Sequence, residues 1–195
     1  MNDKELSFKL RTDARRIGLC DKWYSDWNED GDRQYLIDLF KRGLDFCISH
    51  RWPDKTFIQH NFDQEMLRQN GILIDDTRSF PIRNPQTRRQ IHHSDYVLIG
   101  ESSAVFRLNF RTDVSNNSMV FKYKRPNACN VWVLDKSSVR IDVKYGAFIL
   151  VHLFDDATAD VQTDLVSKVT VIRHSENTSV KRKGCVTVKD ELDYL

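Results

Sequence analysis

At 195 residues, with 40% hydrophobic and 30% charged side chains, the chain has enough apolar surface for one ordinary domain or two small ones, which excludes a disordered polymer. Thirty basic residues against 28 acidic ones leave a net charge of +2, so no global field draws it to nucleic acid or an anionic membrane. Four scattered cysteines (Cys20, Cys47, Cys129, Cys185) form no C-x-x-C pair, MNDKELSFKL has no basic start followed by an apolar run, and no window holds the roughly 18 apolar residues of a membrane span; free thiols in a reducing cytoplasm are expected.

A weak helical pattern runs through Leu6, Leu10, Ile17 and Trp23. The stretch DWNEDGDRQYLIDLF then imitates a calcium loop, with Asp26, Asn28, Asp30 and Gly31 at positions 1, 3, 5 and 6. Position 12, where a carboxylate should close the shell, is Ile37; Asp38 falls one residue late, about 100° around a helix. Position 8 is Arg33, and the chain offers no second loop. The same letters suit a capped helix start, in which Asp30 and Asp32 accept from unpaired amides, so no metal site and no cofactor are expected.

From Asp32 to His50, Leu36, Leu39, Phe40, Leu44, Cys47 and Ile48 recur at three- and four-residue steps, which predicts one amphipathic helix. Pro53 and Asp54 signal a new start, FIQHNF and DQEMLRQ one bent helix or two short ones, and Asn70-Gly71 a C-cap. Residues 1–75 are therefore read as a helical N-terminal region. Trp23, Trp27 and Trp52 cluster there, as candidate interaction anchors or as core.

After a short ILID strand, residues 76–95 read as a connector, with two prolines, four arginines and no acid from Thr77 to His93. Arg78, Arg83, Arg88 and Arg89, with Lys122, Lys124 and Arg125 in FKYKRP and the KRK at Lys181–Lys183, are the candidates for contacting phosphates. His92 and His93, adjacent in extended chain, point to opposite sides and make a poor metal pair.

Residues 96–190 alternate apolar and polar at period two, as in SVRIDV, FILVHL and KVTVI. Small residues punctuate the run about every ten positions: Ser118, Ala128, Ser138, Ala147, Thr158, Ser167 and Thr178. Strand-plus-corner units at a fixed spacing predict a short β-solenoid of either hand, two units to a coil of about 20 residues. An antiparallel meander or sandwich is the alternative; the corners RPNA, LDKSS, KYGA and FDDAT lack the Asn-Gly or Asp-Gly of tight hairpins.

The segments LIDLFKRGLDFCISHRWP and FIQHNFDQEMLRQNGILIDD, followed by V-x-V strands punctuated by alanine and serine, resemble a group of uncharacterised proteins of gut anaerobes, their phages and mobile elements. The resemblance implies a small accessory protein in which a helical segment precedes a short β-solenoid.

No G-x-S-x-G elbow, phosphate-binding P-loop or G-x-G-x-x-G is present, and no catalytic residue is assigned. The expectation is an α+β chain acting as a non-enzymatic protein-binding or assembly module, through a protein partner or self-association. Nucleic-acid binding through the Arg-rich connector is the alternative, and an unrecognised enzyme the third.

Overall fold

Helix caps and turn residues organise the first part of the chain, and alternating β-branched residues the second. The computed structural model describes residues 1–83, 95–109, 128–144 and 148–192, and the chain divides into two units, Met1–Asn70 and Gly71–Leu195. The described residues form a mixed α+β structure, and none of their helices is long and apolar enough to cross a membrane.

The first unit holds α1 (Asp3–Arg16), α2 (Asp21–Ser25), α3 (Arg33–Arg42), α4 (Leu44–Ser49), α5 (Lys55–Asn61) and α6 (Gln64–Gln69). Asn2 and Glu5 close a capping box on α1, and Asp32, Asp54 and Asp63 cap α3, α5 and α6 by accepting from Tyr35, Phe57 and Met66. Each such cap contributes about 1 kcal/mol. Leu6, Leu10 and Ala14 of α1 pack with Leu19, Trp27, Leu36 and Leu39 in a buried core.

The single helix expected from Asp32 to His50 is broken at Gly43, whose N–H reaches back to the carbonyls of Leu39 and Phe40. The apolar spacing runs through the break because Leu44, Cys47 and Ile48 are also buried. FIQHNF and DQEMLRQ form two helices, separated by the extended Phe62. Asn70 caps α6, and Gly71 follows with φ +75°.

The second unit consists of β1 (Ile72–Ile74), β2 (Thr77–Arg83), β3 (Asp95–Ile99), β4 (Ser103–Asn109), β5 (Ala128–Val133), β6 (Ser138–Lys144), β7 (Phe148–Leu153), β8 (Thr158–Thr163), β9 (Lys168–Arg173), β10 (Ser179–Lys183) and β11 (Val186–Asp190). Odd-numbered strands build one six-stranded sheet and even-numbered strands one of five. Each strand pairs with the next but one, and all these pairings are parallel. The antiparallel alternative is thus not adopted. Thr77–Arg83, read from sequence as the start of the connector, forms strand β2 and pairs along its length with β4; a strand at the edge of the five-stranded sheet tolerates its one proline and two arginines.

In the middle of this unit the register advances by 20 residues: Val131 lies beside Val151 and Val151 beside Val171, while Val139 lies beside Ala159. Alternation then sends one set of side chains between the sheets, where Val131, Val133, Ile141, Val143, Val151, Leu153, Val161 and Val171 are fully buried.

Corners join the sheets through residues of positive φ: Asp75 (+49°), Gly100 (+78°), Asp135 (+57°) and Asp155 (+55°). Aspartate tolerates this left-handed backbone better than most residues. Here it also bonds to the neighbouring corner. The Gly100 N–H donates to the Asp135 carboxylate (2.7 Å), Asp135 N–H to Asp155 (3.2 Å) and Asp155 N–H to the Ser175 hydroxyl (2.9 Å).

The small residues lie close to where the punctuation puts them, with a shift of one. Ser167 and Thr178 are buried themselves, but beside Ser138 and Thr158 the buried residues are Ser137 and Ala157. Ala128 begins β5, and Ser118 and Ala147 lie outside the described residues.

Replacing Asp135 should separate its two roles. Asp135→Ala loses the bond to Gly100 and keeps the backbone strain, for an expected cost of about 2 kcal/mol; Asp135→Gly relieves the strain and should cost about 1 kcal/mol. Urea unfolding of both variants measures the difference, and equal stabilities would remove the strain from the explanation.

Candidate functional site

The residues singled out from sequence fall into three environments. Trp27 is buried, and its Nε1–H donates to the Ser7 hydroxyl at 3.0 Å, which in turn donates to the Asn28 carbonyl at 3.0 Å. Trp23 and Trp52 are half-buried against the same core; the Arg42 guanidinium lies 5.9 Å from the Trp23 ring, and Phe46 meets Trp52 edge-on. Trp27 is thus occupied as a packing residue. Trp52 also lines a shallow groove of about 320 Å³ with Lys9, Asp13, Arg16, Ile17 and Phe57. Asp13 pairs there with Lys9 (2.8 Å) and Arg16 (3.4 Å), so the walls largely satisfy one another.

In the calcium-loop lookalike, Asp26 ends α2, the Asn28 side chain accepts from the Asp30 N–H, and Asp30 pairs with Lys4 at 2.9 Å. Asp32 is the cap of α3, and Arg33 bonds to Asp3 and to the Asn61 carbonyl. Among the described residues no three His, Cys, Asp or Glu side chains lie close enough together to hold a metal ion.

Of the candidate phosphate contacts, Arg78 lies on β2 at 3.7 Å from the Asp76 carboxylate, and Arg83 ends that strand in register with Asn109. Arg88, Arg89, Lys122, Lys124 and Arg125 lie outside the described residues, as do His92 and His93. Of this set the described residues therefore include only Arg78 and Arg83, both on β2.

Two juxtapositions were not legible in the sequence. His152 of β7 and His174, just beyond β9, stack within 4° of parallel, and Nδ1 of the first lies 3.0 Å from Nε2 of the second. His174 Nδ1 faces the Glu191 carbonyl at 3.1 Å; a carbonyl only accepts, so this nitrogen is assigned the proton and Nε2 accepts from His152. Trp132 and Phe154 stack on the two rings at 4.0 and 4.4 Å. Both histidines are buried, and the pair is a packed polar lock tied through the Glu191 carbonyl to the end of β11.

The second juxtaposition is the final pair of strands. β10 pairs only with β8, and β11 only with β9, so each carries a row of backbone groups without a ladder partner among the described residues. The opposite edge of the six-stranded sheet, β1, is buried throughout, whereas β10 and β11 are largely exposed. Val180, Val186 and Val188 are half-buried there, packed on the central core. The exposed Leu165 and Val166 form the corner beside them, with the Cys185 thiol 3.9 Å from the Leu165 carbonyl. Lys181, Arg182 and Lys183 make β10 basic, whereas β11 carries Lys189 beside Asp190, which pairs with Arg173 at 3.2 Å.

Compared with known proteins, the chain matches no family model, no curated protein and no solved structure at a significant level.

The thiols report on these environments. Burial pushes the Cys47 thiol up to about 12, while Cys20 and Cys185 are exposed. Iodoacetamide on the native protein at pH 8 should modify Cys20 and Cys185 and leave Cys47 intact until the protein unfolds. Because Cys47 keeps its proton when folded and loses it above about 9 when unfolded, stability should also fall as pH rises from about 9 towards 12, and less so in Cys47→Ala. Peptide mapping and alkaline melts check the two statements.

Proposed function

We propose that Gly71–Leu195 is a short β-solenoid and that the protein is a non-enzymatic binding or assembly module. The solenoid reading is supported by the strict alternation of successive strands between two parallel sheets and by the 20-residue advance of register through β5, β7 and β9. The one observation that carries the functional reading is the exposed edge formed by β10 and β11, each paired on one side only among the described residues.

A strand edge is a template, and the usual way to use one is to accept a further strand from a partner. Main-chain bonds supply affinity, and the side chains on alternate positions supply selectivity. Neighbouring Leu165 and Val166 offer apolar contact beside the edge. The buried histidine lock and the corner bonds make this end stiff, so little ordering cost falls on the protein when it binds. An accessory role, in the setting of phages and mobile elements, rests on the resemblance of the helical segments and the V-x-V strands that follow them.

Hydrogen exchange followed by mass spectrometry tests the reading. In the isolated protein, amides of Ser179–Lys183 and Val186–Asp190 should exchange faster than those of β7. In a complex purified from nuclease-treated lysate they should be slowed at least tenfold. Protection confined to the helices, or a complex lost on nuclease treatment, would contradict the proposal.

A further inference from the structure

We propose that the β10 edge receives an acidic extended segment as a further parallel strand, a refinement that rests on the binding-module reading. The inference comes from the charges on the outer face of the five-stranded sheet. In register, Arg140 lies beside Asp160 and Asp160 beside Lys181. In the next column, Arg107 lies beside Asp142, Asp142 beside Gln162 and Gln162 beside Lys183.

Over its last three rungs, after the uncharged Ser79 and Val105, the first column therefore alternates in sign, and among the described residues both columns end in an exposed lysine. Rungs of a sheet stand about 4.8 Å apart, and opposite charges directly across a pair stabilise it where like charges do the reverse. Neither Lys181 nor Lys183 enters an ion pair among the described residues. The rung that would follow is an acid in both columns.

The inward columns complete the specification. Ala104, Val139 and Ala159 lead to Val180, which is left half-buried at the open end. An apolar side chain placed over Val180 would finish its burial. Phe106, Ile141 and Val161 lead instead to Arg182, whose guanidinium turns to the Val186 carbonyl at 3.4 Å. The segment that fits therefore reads apolar, acid, any residue, acid.

The same chemistry disfavours a second copy at this edge. β10 has three cations and no acid, and two-fold pairing with its own copy would set Lys181 against Lys181. An inward-pointing charge and a lysine-rich rim are the features that keep natural edges from pairing indiscriminately.

The test uses the full chain and the fluorescein-labelled peptide Thr-Val-Glu-Thr-Glu-Thr, read by anisotropy. Saturable binding is expected, weakened at least tenfold by replacing both glutamates with Gln, by a proline between them, and by the protein variants K181E/K183E and K181Q/K183Q. The glutamine variant conserves side-chain size, and melting curves confirm that both variants fold. Equal binding of the Gln peptide would overturn the acidic assignment and leave the edge reading standing. Equal binding of the proline peptide would overturn strand addition. No binding by any peptide at millimolar concentration would overturn both readings. Tighter binding of a single-stranded oligonucleotide, lost in K181Q/K183Q, would overturn the proposal in favour of nucleic acid.

Discussion

Parallel pairing of each strand with the next but one is the constraint on which the second unit depends. It forces the chain to leave one sheet and enter the other after every strand, through corners of two to four residues at 75–76, 100–102, 134–137 and 154–157. Such corners need left-handed backbone, supplied by Asp75, Gly100, Asp135 and Asp155. They also need small residues where the backbone turns in on itself, and Ser102, Ser137, Ala157 and Ser167 are almost wholly buried there. Buried serines would be costly unless bonded. Ser102 and Ser137 meet this by donating to the carbonyls of Ile99 and Gly100.

The same pairing explains why polar residues far apart in sequence act together. A register advance near 20 residues brings Asp135 under Asp155, and Trp132 under His152. The polar chemistry of the fold therefore runs along the stack rather than around each turn. Among the described residues β10 and β11 are the outermost strands of their sheets at this side, with half-buried valines and the cations of β10, and their edge is the surface from which binding is proposed.

Much of this was legible in the residues. Asp32 and Asp54 announced helix starts, and the V-x-V alternation identified strands and their inward faces. The corners near Ser138, Thr158, Ser167 and Thr178 were placed to within one residue, since Ser137-Ser138 and Ala157-Thr158 each offer two small neighbours and only packing decides which is buried. The break at Gly43 was hidden because the apolar spacing continues across it. β2 was hidden by its two arginines and its proline, Pro81, since its strand pairing comes from β4 and not from local preference. The histidine pair could not be seen at all without the register, because 22 residues separate His152 from His174. Trp27 was ambiguous between anchor and core until its indole was found bonded to Ser7.

Methyl-to-methyl nuclear Overhauser contacts in the selectively labelled protein test the pairing most directly. The account predicts a chain of contacts from Val131 to Val151 to Val171, and from Val139 across the register to Ala159. Backbone amide contacts linking consecutive strands as antiparallel hairpins, β6 with β7 or β8 with β9, would contradict it and remove the exposed end on which the function rests.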